Sequence, residues 1–312
     1  MKIAAIGECM IELSAVNGAA ELRRLAFGGD TLNTAVYLAR LGVAVDYVTA
    51  LGDDPYSTSM LTAWQDEGIG TGLVRRLPGR VPGLYTIELD AQGERSFYYW
   101  RDRAPAREIF TDTHRDELCA ALMGYDWLYL TGISLSLYGD DGRDRLFELL
   151  RQFRGKGGKV AFDDNYRPRG WSSVELARRE FRRQLALSDI VLASLDDERA
   201  LHGVTGMEEA AGLIHHAGSP VVIIKDGARG CLISDGSRRA HIPAPPLARV
   251  VDTTAAGDSF NAGFLSALLG GATLPVAAQL GHACAGIVVG HRGAIVPKAD
   301  FHAEMAQHQL AI

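Results

Sequence analysis

Short apolar runs alternate with helical patterns along the chain. KIAAIG, VDYVTALGDD, DWLYLTG, KVAFDDN, DIVLAS and PVVIIKDG are each a compact apolar run closed by polar residues or Gly. Runs of this kind predict strands buried on both faces. Helical stretches such as DDGRDRLFELLRQFRGKGG lie between them. GGDTLNTAVYLARLG reads as a Gly-rich start into a helix, with Asp30 or Thr31 as its cap. Leu32, Ala35, Val36 and Ala39 form its apolar stripe and Gly42 stops it. Strands alternating with helices predict an α/β fold, with a mostly parallel central sheet covered by helices on both faces.

One region breaks the rhythm. GLYTIELDAQGERSFYYWR alternates with period two around the turn signal DAQGE, which predicts an antiparallel hairpin set into a parallel fold. A small sheet of this kind can act as a lid over a site. Its expected parts are 9–17 and 80–103. No linker, repeat or low-complexity segment intervenes, so one domain over 1–312 is expected.

Composition narrows the classes. The 312 residues carry a net charge of −6 with no basic block, which argues against a nucleic-acid partner. The most apolar late stretch, GHACAGIVVGHRGAIV, is interrupted by His282, His291 and Arg292, so no membrane span is expected. Glu8 and Glu12 interrupt the apolar N-terminus, which does not read as a signal peptide. Four scattered cysteines without a CxxC suit a reduced cytoplasm. The P-loop, the dinucleotide GxGxxG after a strand, HExxH and GxSxG are all missing.

In open α/β sheets, ligands bind at the carboxyl ends of the strands. The segment VVDTTAAGDSFNAGF runs from a strand end into a helix there, with Phe260, Phe264, Leu265 and Leu268 as the buried stripe. A helix N-terminus offers unpaired N–H groups and a partial positive charge. Ala255, Ala256 and Gly257 leave those amides open to an anion, and Asp258 sits beside them. An amide cradle with a neighbouring base is the geometry of phosphoryl transfer. The plain alternative is that Asp258 only complements the helix dipole.

DTTAAGDSFNAGF resembles the signature of the ribokinase-like (PfkB) carbohydrate kinases, and the Gly28–Gly29 pair with Asn33 beyond it is similar to that family's early Gly-Gly helix start. The resemblance spans essentially the whole chain. It implies a ribokinase-like three-layer α/β fold with a β-sheet lid, Asp258 as catalytic base, and the amides of Ala255, Ala256 and Gly257 as anion hole. Ala255 stands where the family often has Gly.

Taken together, IGECMIELS, FGGDTLNTAVYLARLG, YVTALGDD, the hairpin, FDDNYRPRGW and VVDTTAAGDSF look like the branch of the family that phosphorylates the 6-hydroxyl of a six-carbon keto-acid. By that resemblance Gly29, Asp30 and Asn33 lie at the sugar, and Tyr85, Tyr99 and Arg101 reach it from the lid. Arg167 holds the carboxylate, as an Arg fork can. If the strand through 163–167 persists, Asp163, Asn165 and Arg167 share one face. Phe97, Tyr99 and Arg101 share one face of the hairpin, and Tyr98 and Trp100 the other, where lid packing or a contact between subunits is expected.

For ATP the resemblance implies Asn165, Ser194, Lys225, Gly227, Gly230 and Gly257. The glycines of KDGARG would equally suit a tight turn between two strands. The family's Asn-x-x-Glu motif is altered: Ser194 stands for Asn and Asp197 for Glu, with Glu198 one residue off. Asp197 is the expected residue for Mg²⁺ through water. Asp252 and Thr254 match a monovalent-cation (K⁺) loop, or else Asp252 caps the turn. The partners implied are a sugar acid and ATP, in a homo-oligomer joined through the lid. A kinase for fructose, ribose or the galacto epimer of the acid, or a non-catalytic sugar-acid binding protein, remain the competing readings.

Overall fold

The computed structural model describes residues 1–16, 19–89, 95–111 and 113–308. The expected turn at 90–94 therefore lies outside the described residues. Strands β1 (Lys2–Ile6), β4 (Ala44–Leu51), β5 (Val74–Arg76), β8 (Trp127–Thr131), β9 (Lys159–Asp163), β10 (Ile190–Ser194), β11 (Val221–Lys225), β12 (Cys231–Ser234) and β13 (Arg239–Ile242) form one sheet. Their spatial order is β13-β12-β11-β10-β9-β8-β1-β4-β5. Every neighbouring pair is parallel except β11–β12 and β12–β13. All six apolar runs of the sequence are strands of this sheet.

The continuous apolar character of these strands follows from cores on both faces. Ile3 and Ala5 of β1 enter one core, and Ala4 and Ile6 enter the other. On one side lie helices Asp30–Arg40, Ala256–Leu269 and Leu274–Val289, and on the other Asp140–Gly155 and Val174–Leu185. The last two helices of the first group approach closely: a Cβ on Gly263 would fall 2.7 Å from the Leu280 carbonyl oxygen. Only a glycine fits there without a shift, so the helix that carries Asp258 is held against its neighbour at backbone contact.

A second sheet has the order β3-β2-β6-β7, built from β2 (Met10–Val16), β3 (Ala19–Gly28), β6 (Leu84–Leu89) and β7 (Arg95–Trp100). The β6–β7 pair is antiparallel, and β2 runs parallel to β6. The sequence reading omitted β3. This strand leads directly into helix Asp30–Arg40 through Gly28 and Gly29.

Three local expectations change. The segment before Asp258 does not leave a strand, because β13 ends at Ile242 and residues 250–251 lie in a loop. Neither Asp30 nor Thr31 caps its helix: Gly29 is the cap residue, without a side-chain bond, and Asp30 is already helical. The strand through Asp163 does not persist to Arg167, because β9 ends at Asp163 and Asn165 has φ +27°.

Helix Ala256–Leu269 starts from Ala255, whose φ of +59° is left-handed. That conformation costs an L-residue about 1–2 kcal/mol that glycine avoids, partly offset by glycine's greater freedom when unfolded. Ala255→Gly is therefore expected to raise unfolding stability by up to about 1 kcal/mol, measured by urea titration. An unchanged or lowered midpoint would show that the backbone there carries no strain.

Candidate active site

Thr131, Asp163, Ser194 and Lys225 are the last residues of β8, β9, β10 and β11, four adjacent parallel strands. They make a polar row along the carboxyl edge of the sheet, where an α/β fold places its ligands. A cavity of about 810 Å³ opens over this edge. It extends from Tyr85, Phe97 and Tyr99 of the small sheet to Pro245, Leu247 and Val289 at an apolar wall. Of the residues expected from the sequence to be catalytic or to bind substrate, ATP or metal, all but Arg101 and Asp252 line it.

Two helix starts meet over the row. Gly29 must be a glycine here, because a Cβ would lie 2.1 Å from the Glu8 carbonyl oxygen. That contact sets Asp30 inward, where its Oδ2 accepts from Thr131 Oγ1 at 2.6 Å and Asn165 Nδ2 at 2.9 Å. Asn165, expected at the nucleotide, thus bears on Asp30. One turn on, Asn33 Nδ2 donates to Asp258 Oδ2 at 2.8 Å, joining the two helices.

Asp258 is buried, and its carboxyl is pushed up to about 8. Loss of water is the main cause, and the nearby Asp30 adds to it. The Asn33 hydrogen bond and Lys225 work in the opposite direction. A carboxyl tuned close to neutral pH at a cavity wall suits proton abstraction from a hydroxyl. Around it, the amide cradle is smaller than the sequence implied. Ala256 N–H donates to the Thr253 carbonyl at 3.3 Å. The amides of Ala255 and Gly257 have no hydrogen-bond acceptor among the described residues.

Lys225 Nζ reaches Asp163 Oδ1 at 3.2 Å and Asn261 Oδ1 at 3.0 Å. It would lie 3.7 Å from a Cβ placed on Gly257, so a cation stands beside the amide cradle. Asn261, fully buried, also donates to Asp163 Oδ2 at 2.7 Å and to Tyr129 Oη at 3.1 Å. Sequence reading missed this residue. Its spacing of three from Asp258 puts both on one helix face, which was the available signal. Gly227 and Gly230 form the turn joining β11 to β12, at φ +54° and +99°. The turn reading of KDGARG is thus present, at the cavity wall.

The two arginines differ from expectation. Arg101 pairs with buried Glu8 at the root of the small sheet and does not line the cavity. Arg167 does line it, and its Nη1 bonds Asp197 Oδ1 at 3.0 Å. From the same face of β6–β7, Tyr85 packs at a tilt against Phe97 and Tyr99, with centroids 6.3 and 5.8 Å away. Glu12 holds the Tyr85 hydroxyl. Tyr98 and Trp100 are exposed on the other face.

Ser194 caps the helix of Asp197 by accepting from its N–H at 3.1 Å. Asp164 accepts from Ser194 N at 3.0 Å, and burial, then Asp197 and Asp163, raise its carboxyl well above the usual range. Burial, then Asp197, raises Glu198 to about 8, and its Oε2 has no hydrogen-bond partner among the described residues. Asp252 caps the turn: its Oδ1 accepts from Thr254 N at 3.0 Å and Oγ1 at 2.7 Å, and its Oδ2 from Gly293 N at 2.8 Å. Among the described residues no three His, Cys, Asp or Glu side chains converge as a metal site, and all four cysteines are free. No helix among them is long and apolar enough to cross a membrane.

Comparison with known proteins identifies the family. Residues 1–300 match the model of the pfkB family carbohydrate kinases. The chain is 49% identical to 2-dehydro-3-deoxygluconokinase of Dickeya dadantii (strain 3937), over 95% of this chain and 96% of that one. It is 47% identical to the 2-dehydro-3-deoxygluconokinase of Escherichia coli (strain K12), over 95% and 97%. Aminoimidazole riboside kinase from Salmonella enterica, solved with aminoimidazole riboside and an ATP analog, superposes with a TM-score of 0.83 at 26% identity, covering 98% of this chain and 100% of that one. The chain belongs to the pfkB family of carbohydrate kinases.

Proposed function

We propose that the protein transfers the γ-phosphoryl group of ATP to the 6-hydroxyl of 2-keto-3-deoxygluconate, the compound named by its curated relatives (2-dehydro-3-deoxygluconate). The observation that carries this reading is the buried Asp258 beside the open amides of Ala255 and Gly257. Asp258 takes the proton as O6 attacks, while Lys225 and the two amides stabilise charge on the phosphoryl oxygens. Asp30, Asn33, Asn165, Tyr85 and Tyr99 orient the sugar, and Arg167 takes its carboxylate. The apolar wall at Pro245, Leu247 and Val289 receives the adenine. The small sheet serves as the lid that excludes water.

Mg²⁺ is bound in such sites by phosphates, waters and one or two carboxylates rather than by a protein cage. Asp197, an acid in the cavity wall, fits that requirement and would hold it through water. The ion supplies charge neutralisation on the phosphates when bound. The Asp252 loop fits a monovalent cation less well, since both carboxylate oxygens already accept hydrogen bonds, and no step is assigned to one. Exposed Tyr98 and Trp100 support association of two copies through the lid. Four free thiols support a reducing cytoplasm.

A second reading, phosphorylation of a neutral sugar such as fructose, is favoured by one observation: Arg101 and Arg167 are both already paired with carboxylates. Arg167→Ala separates the two. Under the acid reading it raises KM for 2-keto-3-deoxygluconate about tenfold or more and leaves any activity on fructose unchanged. Equal losses on both substrates would reject Arg167 as the carboxylate reader.

Asp258→Asn is expected to lower kcat by roughly 10²–10⁴-fold, the usual worth of a general base. Retained turnover would remove Asp258 from the chemistry. The folded state holds this proton more tightly than the unfolded chain does. The carboxyl therefore costs stability increasingly as pH rises towards about 8, and the variant should melt higher than the parent at pH 8–9.

The same shift predicts the rate profile. Ionised Asp258 is the active form, so kcat/KM should rise with pH through a midpoint near 8. A profile already flat from pH 6 upward would contradict this protonation state.

A further inference from the structure

Arg167 and Asp197 are the two charged side chains that the proposed function gives to different ligands, the sugar acid and the metal-bound nucleotide. In the structure they are given to each other, Nη1 to Oδ1 at 3.0 Å. Arg167 follows the end of β9, and Asp197 stands in the first turn of helix Leu195–His202, so two separate elements bring them together. Both line the cavity. The Arg167 side chain is 55% exposed and that of Asp197 20%. An ion pair this open contributes at most about 1 kcal/mol and can be exchanged readily. The contrast is the Glu8–Arg101 pair, where the carboxylate is only 2% exposed and exchange would strand a buried charge.

We infer that Asp197 is a coupling residue: with no nucleotide bound it occupies Arg167 as a stand-in carboxylate, and when the metal–nucleotide engages Asp197 the guanidinium is released to the sugar acid. This rests on the function proposed above. The acidic surroundings give the exchange its direction. Asp163 and Asp164 lie close enough to raise the charge density around Asp197, so a cation arriving with the nucleotide is favoured there. Arg167 then loses its nearest counter-ion and gains affinity for another. By linkage, the sugar acid must favour metal–nucleotide binding by the same factor. The device would suppress nucleotide binding, and hence wasteful hydrolysis, while the sugar acid is absent.

The test is calorimetry with 2-keto-3-deoxygluconate as titrant, using the whole protein without metal or nucleotide and again with Mg²⁺ and a non-hydrolysable ATP analogue at saturation. For the parent protein the acid should bind about two- to fivefold tighter with the nucleotide present. Asp197→Asn should bind the acid about two- to fivefold tighter than the parent without nucleotide, and the nucleotide should then add little. In an Arg167→Ala background, Asp197→Asn should change acid affinity by no measurable factor. A general loosening of the site would instead change acid affinity in the Arg167→Ala background as well. Asp197→Ser is the second variant if the asparagine form does not fold. Unchanged or weakened acid binding by Asp197→Asn without nucleotide overturns the inference while leaving the enzyme assignment intact. Failure of the parent to bind or phosphorylate the acid at all overturns the proposed function itself, and the coupling with it.

Discussion

The molecule is organised around one hydrogen bond, Asn33 to Asp258, made where two helix starts converge above the sheet edge. Asp258 is nearly out of water, and a bare carboxylate there is costly. Only a donor from a facing element can keep it oriented without neutralising it. Asn33 does so because Gly29 lets the first helix approach the Glu8 backbone, and because Gly263 lets the second pack at backbone contact against helix Leu274–Val289. The two glycines lie far apart in sequence, yet each removes a Cβ that would push one partner of this bond away.

Charge around the bond is distributed rather than balanced locally. Asp30, Asp163, Asp164, Asp197 and Glu198 crowd the carboxyl ends of the strands, against Lys225 and Arg167. The excess of acid raises the carboxyls of Asp30, Asp164, Asp197, Glu198 and Asp258 together, with burial as the first cause in each. Such a site is electrostatically unfinished on its own. A divalent cation and a second positive group would lower its energy, which is the physical sense in which it suits a metal-bound polyphosphate.

Much of this could be read before the coordinates. Strand ends were legible because apolar runs buried on both faces stop abruptly, as in KVAFDD and DIVLAS. The helix start that carries Asp258 was legible because small residues precede it. What escaped was set by distance or by local backbone. Glu8, between β1 and β2, meets Arg101, just past β7 and far along the chain, and no spacing signals it. Asn165 leaves the strand at φ +27°, a turn that period-two alternation does not foresee. The strand β3 escaped because Leu22 and Leu25 are exposed, so its sequence lacks a core-facing rhythm. Asp30 looked like a cap because capping residues favour that position, but its carboxylate is drawn instead to Thr131 and Asn165.

The path of the chain through the small sheet has a separate consequence. β3 ends at Gly28, one residue before the cap of the helix that carries Asp30 and Asn33, and β7 ends at Trp100, beside Arg101. Under the proposed function, the groups facing the sugar therefore come almost entirely from the first 170 residues, while Lys225, Gly257, Asp258 and Asn261 come from the last 90 or so. On that function, selection and chemistry occupy different stretches of one gene, joined by Asn33 and Thr34 to Asp258 and by Asp163 to Lys225 and Asn261. A lineage could exchange the sugar-facing residues of the first stretch and acquire a new sugar so long as Asn33, Tyr129 and Asp163 kept their bonds to the second.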